Sequence, residues 1–289
     1  MHVEIAKAYK YTEVAKVLEK HTNKVHRQPI TTFLLADEYT HNKGLGLIAI
    51  TLAAYKQTFH PKPIATNTSL IDVLEAVYND LSKSEERWHE IKEKVCDTVY
   101  VICQENYEKI KSSSTRDEFF KAVINTYTAE ENYMYTYLNT AFRRQRMKHY
   151  RPTGDDLALG PYAVVYQMLL MFWNKLPRER RTTYRKMLLS NADLNKYDVG
   201  ISFVWQSIAS SSTKLQCAIP FPTCGPKGDK SVIFTIDNSE DSCWQPRNIE
   251  KYARYMEHER TYPAGAKFKV IGRIIKGSDV HVALKLLKD

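Results

Sequence analysis

Glycine and proline are scarce in this chain, 10 and 11 of 289 residues, which excludes a low-complexity or fibrous repeat. The five cysteines (Cys96, Cys103, Cys217, Cys224 and Cys243) contain no Cys-x-x-Cys spacing, so no metal site is expected from them. An odd number leaves at least one thiol without an intramolecular partner. Cys217 and Cys224 bracket a proline-containing loop and can pair under oxidising conditions. No apolar run is long enough to span a bilayer; the longest, at 44–54 and 162–173, have the length of core helices. The start, Met1-His2-Val3-Glu4-Ile5-Ala6-Lys7, lacks a signal-peptide core. The expected location is therefore the cytoplasm, or the exterior if a leader has been removed. A P-loop, a Gly-x-Gly-x-x-Gly and a nucleophilic triad are missing as well, which removes the commonest phosphate and dinucleotide cradles.

The chain does have bulk, positive charge and two periodicities. Hydrophobic residues make up 43% and charged residues 26%, ordinary for a globular protein with a full core. The net charge of +9 suits anionic partners such as dinucleotides, nucleic acid or acidic lipid, or no specific partner at all. Helical spacing runs from residue 4 to 81, with Thr31-Thr32 as a cap for a helix at Phe33-Leu34-Leu35. Further helices are expected from 84 through 107, over 116–148 and over 162–176, the last closed by Pro177. After Pro177 strand-like pieces follow at 182–188, 199–208, 215–219, 232–236, 267–275 and 280–287, with one helical piece at 248–255. The expected class is α+β: one domain over 1–289, with 1–176 mainly helical and 177–289 strand-rich.

Three pieces of the strand-rich half can carry chemistry. Glu257-His258-Glu259 precedes Pro263. If the segment is extended, both carboxylates point to one face. One can then stabilise a cationic transition state while the other deprotonates an acceptor, as in glycosyl transfer. Taken alone, such a pair is usually a solvated edge. Arg185 can hold a phosphate or carboxylate bidentately, although a lone strand arginine is most often an edge cation. Ser210-Ser211-Ser212 can orient a carboxylate, although a serine cluster is most often a turn.

Order and spacing join these pieces. Tyr184-Arg185, then Ile208-Ala209-Ser210-Ser211-Ser212, then Glu257-His258-Glu259 before Pro263 resembles the mono-ADP-ribosyltransferases of the Arg-Ser-Glu class, animal ecto-enzymes and cholera-like toxins among them. Val232-Ile233-Phe234-Thr235-Ile236 is similar to a strand of the animal enzymes, and Asn248-Ile249-Glu250-Lys251-Tyr252 to the segment leading into their Glu-x-Glu. Asn125-Thr126-Tyr127-Thr128 with Asn139 and Arg143 resembles a helix of that family, and the similarity runs from about Asp117 to Lys285. Lys186, Ile208 and Ala253 depart from its usual glycine, aromatic residue and serine.

The resemblance implies helices packed on a split two-sheet β core with a central NAD⁺ cleft. It implies transfer of ADP-ribose from NAD⁺ to an arginine of a protein substrate, with no metal. Arg185 would hold the phosphate end and Ser210 would position Glu259. Glu259 would stabilise the oxocarbenium ion, and Glu257 would deprotonate the acceptor guanidinium. Lys186, Ser212 and Phe234 would complete the NAD⁺ contacts. The same residues serve NAD⁺ hydrolysis with water as acceptor. Readings of another kind are a basic nucleic-acid-binding module, against which the basic residues are scattered and carry no recognised motif, and a family member that has kept only a protein-binding role.

Overall fold

The computed structural model describes residues 33–35, four positions between 89 and 96, residues 104–129 and 139, and residues 176–288 except 206, 221–227 and 243. Most of the helical pattern expected over 1–176 lies outside these residues, as do Cys224 and Arg143.

Two helices are described in the first half, α1 (Gln104–Ser112) and α2 (Arg116–Thr128). Thr115 starts α2 through a capping box: its hydroxyl accepts from the Glu118 amide and the Glu118 carboxylate returns to the Thr115 amide. α2 itself ends at Thr128, with Ala129 already extended; of the rest of the helix expected to 148 only residue 139 is described, and it is helical. The Thr128 hydroxyl accepts from the Arg254 amide at 3.0 Å, so this helix end is tied to the segment that leads into the glutamate pair. Phe120 and Tyr252 pack ring to ring at 4.9 Å, and the Tyr252 hydroxyl donates to Asp117 at 2.8 Å across the same contact.

Nine strands form one hydrogen-bonded sheet. They are β1 (Phe33–Leu35), β2 (Thr183–Leu189), β3 (Ser202–Trp205), β4 (Ala209–Ser212), β5 (Lys230–Asp237), β6 (Arg247–Asn248), β7 (Glu259–Tyr262), β8 (Ala266–Lys276) and β9 (Asp279–Leu286). Their order is β1-β3-β8-β9-β5-β2-β4-β7-β6, antiparallel throughout except for β5 beside β9. The expectation of two separate sheets is corrected. The sheet is continuous, but it narrows to one register pair, Tyr184 with Ser212, between β2 and β4. Six strands lie on one side of that pair and three on the other, and the candidate site lies at this junction.

Three local expectations are also corrected. Phe33–Leu35 is a strand, not a helix, and pairs with β3; three apolar residues carry no period, and the sheet edge supplies their backbone partners. Leu215–Ala218 is a short helix, α4, rather than a strand; another short helix, α3 (Asn191–Leu194), follows β2 and is capped by Ser190. The helix expected over 248–255 is replaced by β6 and a turn. The Asn248 side chain accepts from the Glu250 amide at 3.0 Å and diverts the chain before a helix can start.

The core is aromatic. Tyr197, Phe203, Trp205, Phe234, Tyr262 and Phe268 are buried, with ring centroids 4.6 to 6.3 Å apart. Each such side chain contributes on the order of 2 kcal/mol by burial alone. Beneath the β2–β4 junction, the Tyr262 hydroxyl shares hydrogen bonds with Thr183 at 2.6 Å and Asn238 at 2.7 Å. Burial pushes this phenol well above its ordinary range, so it stays neutral there.

Candidate active site

Glu259 opens β7, and its carboxylate is buried, the residue being 7% exposed. Pairing of β7 with β4 sets Ser212 opposite Glu259 and Ser210 opposite Thr261. Thr261, two residues along the strand, shares the face of Glu259 and donates to its Oε1 at 3.3 Å. The Ser210 hydroxyl also bonds to this carboxylate. Burial raises the Glu259 carboxyl to about 7, and the neighbouring Glu257 pushes it the same way. The Ser210 and Thr261 hydroxyls and the Arg185 guanidinium pull it down. The group therefore exchanges its proton near neutral pH, where a poised carboxylate is useful.

Arg185 lies in β2, opposite Phe234 of β5. Its guanidinium sits 5.7 Å from the Trp205 ring and donates through Nη1 to the Ser210 carbonyl. It thus bridges the junction from β2 to β4 and reaches the electrostatic range of Glu259. The aromatic core is its platform: Trp205 stands edge-on to Phe234 at 5.5 Å.

Glu257 is not in the strand. His258 between the glutamates has φ 52°, a left-handed conformation, so the extended i, i+2 geometry expected for the pair is not what is found. The two carboxylates nevertheless interact, because the turn keeps Glu257 beside Glu259. Ser212 fixes this turn: its hydroxyl donates to the Glu257 carbonyl at 2.7 Å and accepts from the Lys214 amide at 3.1 Å.

The three other residues expected to contact a ligand have distinct surroundings. Ser212 is fully buried and spends its hydroxyl on backbone, so it acts as a clamp. Phe234 is fully buried against Tyr197 and Trp205 and supports the site from behind. Lys186 alternates with Arg185 along β2, which puts its side chain on the opposite face. Of the set proposed from the sequence, Arg185, Ser210, Glu257 and Glu259 are brought together.

Sequence reasoning missed several supports. Thr261 was legible as the same-face neighbour of Glu259. Trp205 as a platform for Arg185 was not, because the two are far apart in the sheet order. Asn139, part of the resemblance but given no role there, accepts from the Ile208 amide at 3.1 Å and holds the entry to the serine strand. Cys217 carries a free thiol here, and its expected partner Cys224 lies outside the described residues. Among the described residues no cluster of His, Cys, Asp and Glu has a metal-holding arrangement, and no helix is long and apolar enough to cross a membrane.

No family model matches the sequence, and no curated protein matches it. Solved structures with a similar chain path include the Vis toxin, an ADP-ribosyltransferase from Vibrio splendidus. It is 19% identical, with 73% of this chain and 91% of that chain covered and a TM-score of 0.48. Exoenzyme S from Pseudomonas aeruginosa, solved with human 14-3-3 protein beta and carba-NAD, is 13% identical over 68% of this chain and 88% of that chain, with a TM-score of 0.46. The Clostridium limosum C3 exoenzyme is 13% identical over 67% and 95% of the two chains, with a TM-score of 0.43.

Proposed function

We propose that this protein transfers ADP-ribose from NAD⁺ to an arginine side chain of a protein substrate and releases nicotinamide. The observation that carries the reading is the convergence of Arg185, Ser210, Glu257 and Glu259, from three separated stretches of sequence, on one sheet junction. The residue types fit NAD⁺ chemically. A guanidinium seated on an aromatic ring suits a phosphate. A buried carboxylate held by two hydroxyls suits a ribose hydroxyl and the positive charge that develops beside it.

In this reading the bond between the ribose anomeric carbon and nicotinamide breaks first. Nicotinamide leaves with the bonding pair, and the cationic sugar carbon faces Glu259. Glu259 stabilises that charge more than it stabilises bound NAD⁺, which is what accelerates the step. The acceptor guanidinium then attacks the same carbon, and Glu257 takes its proton. Arg185 holds the diphosphate and Ser210 holds Glu259. The family resemblance of the Glu-x-Glu pair supports arginine, with its guanidinium, as the acceptor.

The test is incubation with NAD⁺ labelled in its adenosine half and with agmatine, a small guanidino acceptor. The expected result is labelled agmatine in step with nicotinamide release. Free ADP-ribose alone would replace the transferase by a glycohydrolase, and no turnover would leave neither.

A further inference from the structure

Behind the site runs a chain of charges that includes none of Arg185, Ser210 and the Glu257 carboxylate. Arg260 follows Glu259 in β7, and strand alternation turns its side chain to the other face, where it is 3% exposed. Its Nε donates to Glu179 at 2.8 Å, and its Nη1 donates to Glu250 at 3.2 Å and to the Glu259 carbonyl at 2.9 Å. Arg181 grips Glu179 from the other side, with Nε at 2.9 Å and Nη2 at 2.7 Å. Those bonds, with those from Arg260, hold the Glu179 carboxyl down at about 2, so it is charged throughout the working range. Arg260 is therefore a fixed point in the fold.

Glu250 extends this fixed point to the active-site turn. One carboxylate oxygen takes the bond from Arg260, and the other lies 2.7 Å from Nδ1 of His258. His258 is the single non-glycine residue with positive φ among the described residues. A side chain in the left-handed region is disfavoured and persists only where its surroundings hold it. The holding groups here are Glu250 on the imidazole, the Thr213 amide on the His258 carbonyl at 3.4 Å, and Ser212 on the carbonyl before it. Serine and threonine act on the backbone only. Glu250 is the contact that joins the His258 side chain to the buried arginine.

We infer that Glu250 is a positioning residue for the transfer step: by bridging Arg260 to His258 it holds the left-handed turn that sets Glu257 against Glu259. The effect on transfer rests on the proposed transferase reading; the effect on the turn does not. Glu259 has anchors that do not involve Glu250: β4 pairing, Ser210 and Thr261. Loss of the Glu250 bridge should therefore displace Glu257 and leave Glu259 in place.

The test compares wild type with Glu250→Gln, which removes the charge and replaces by an NH₂ one of the two carboxylate oxygens that separately face Arg260 and His258. The expected result is a loss of about tenfold in kcat/KM for agmatine labelling, with acceptor-free nicotinamide release kept within about twofold, as for one lost charged hydrogen bond. His258→Ala should lose labelling to a similar extent, and adding it to Glu250→Gln should cost little more, because both act through one contact. His258→Gly, which takes the left-handed turn without strain, should retain more labelling than His258→Ala. Unchanged labelling in Glu250→Gln, equal loss of both activities, or additive losses in the double variant would each overturn the inference. Hydrogen exchange of the Thr213 amide is read in the same proteins. Faster exchange in Glu250→Gln supports the held turn, and unchanged exchange refutes it. A wild type that turns over no NAD⁺ would sink the transferase reading and the role in transfer, and the exchange measurement would still decide the turn.

Discussion

Replacing Glu259 by glutamine should stabilise the protein while abolishing its activity, and the gain should depend on pH. The Glu259 carboxyl titrates near about 7 in the fold against an ordinary 4.5, chiefly because burial disfavours the charged form. Ionising it inside the fold therefore costs about 3 kcal/mol more than ionising it in the unfolded chain. Below the unfolded value both states hold the proton, and nothing is lost. Between the two values the folded state alone keeps its proton, so stability falls as pH rises. Above about 7 the whole cost is present. Glutamine can still accept from Ser210 and Thr261 and never titrates. Glu259→Gln should thus match wild type below the unfolded value and exceed it by about 3 kcal/mol above pH 8, roughly 6 °C in Tm. Urea unfolding of both proteins at low and high pH measures this, with nicotinamide release followed in parallel. A stability gap that stays constant with pH, or shrinks as pH rises, would refute the buried, poised carboxylate.

Three further outcomes follow from the same geometry. Ser210→Ala removes a donor that pulls the Glu259 carboxyl down, so the acidic limb of the nicotinamide-release profile should move to higher pH; a limb that stays put would deny the bond its role. Arg185→Lys keeps the charge but loses the planar fork and the Trp205 face, so NAD⁺ affinity measured by titration should fall about tenfold, and unchanged affinity would remove Arg185 from the site. Arg260→Leu strands Glu179 and Glu250 beside a buried apolar group and should cost roughly 3 kcal/mol in denaturant unfolding, whereas a loss under about 1 kcal/mol would mean that water replaces the arginine.

The strand-rich half was largely legible. β2, β5, β8 and β9 have enough alternation and turn chemistry to be placed to within a residue or two. The short elements were not. Phe33–Leu35 and Leu215–Ala218 are too short to show a period, and sheet pairing in one case and backbone turn bonds in the other decided them. The site split along the same line. Arg185, Ser210 and Glu259 could be grouped from sequence because residue type and order suffice to single out groups that act by charge and hydrogen bonding, and the fold brings them together. The surroundings of Ser212, Lys186 and Phe234 were not legible, because only the fold tells which hydroxyl is already committed to backbone and which side chain is buried. Glu179 and Arg260 are 81 residues apart, and nothing in the sequence joins a glutamate after Pro177 to a strand arginine. The left-handed turn at His258 was hidden as well, since histidine carries no glycine-like signature for it.

In the proposed reaction the two glutamates divide the labour. Glu257→Gln and Glu259→Gln are compared with wild type for nicotinamide release and agmatine labelling in the same reaction mixtures. Glu259→Gln should lose both activities, with turnover falling far more than NAD⁺ affinity, because the carboxylate acts on charge present only in the transition state. Glu257→Gln should lose labelling and keep nicotinamide release, with its acidic limb moved to lower pH by removal of the neighbouring charge. Equal loss of both activities in Glu257→Gln would contradict the division, and full activity in Glu259→Gln would contradict the site.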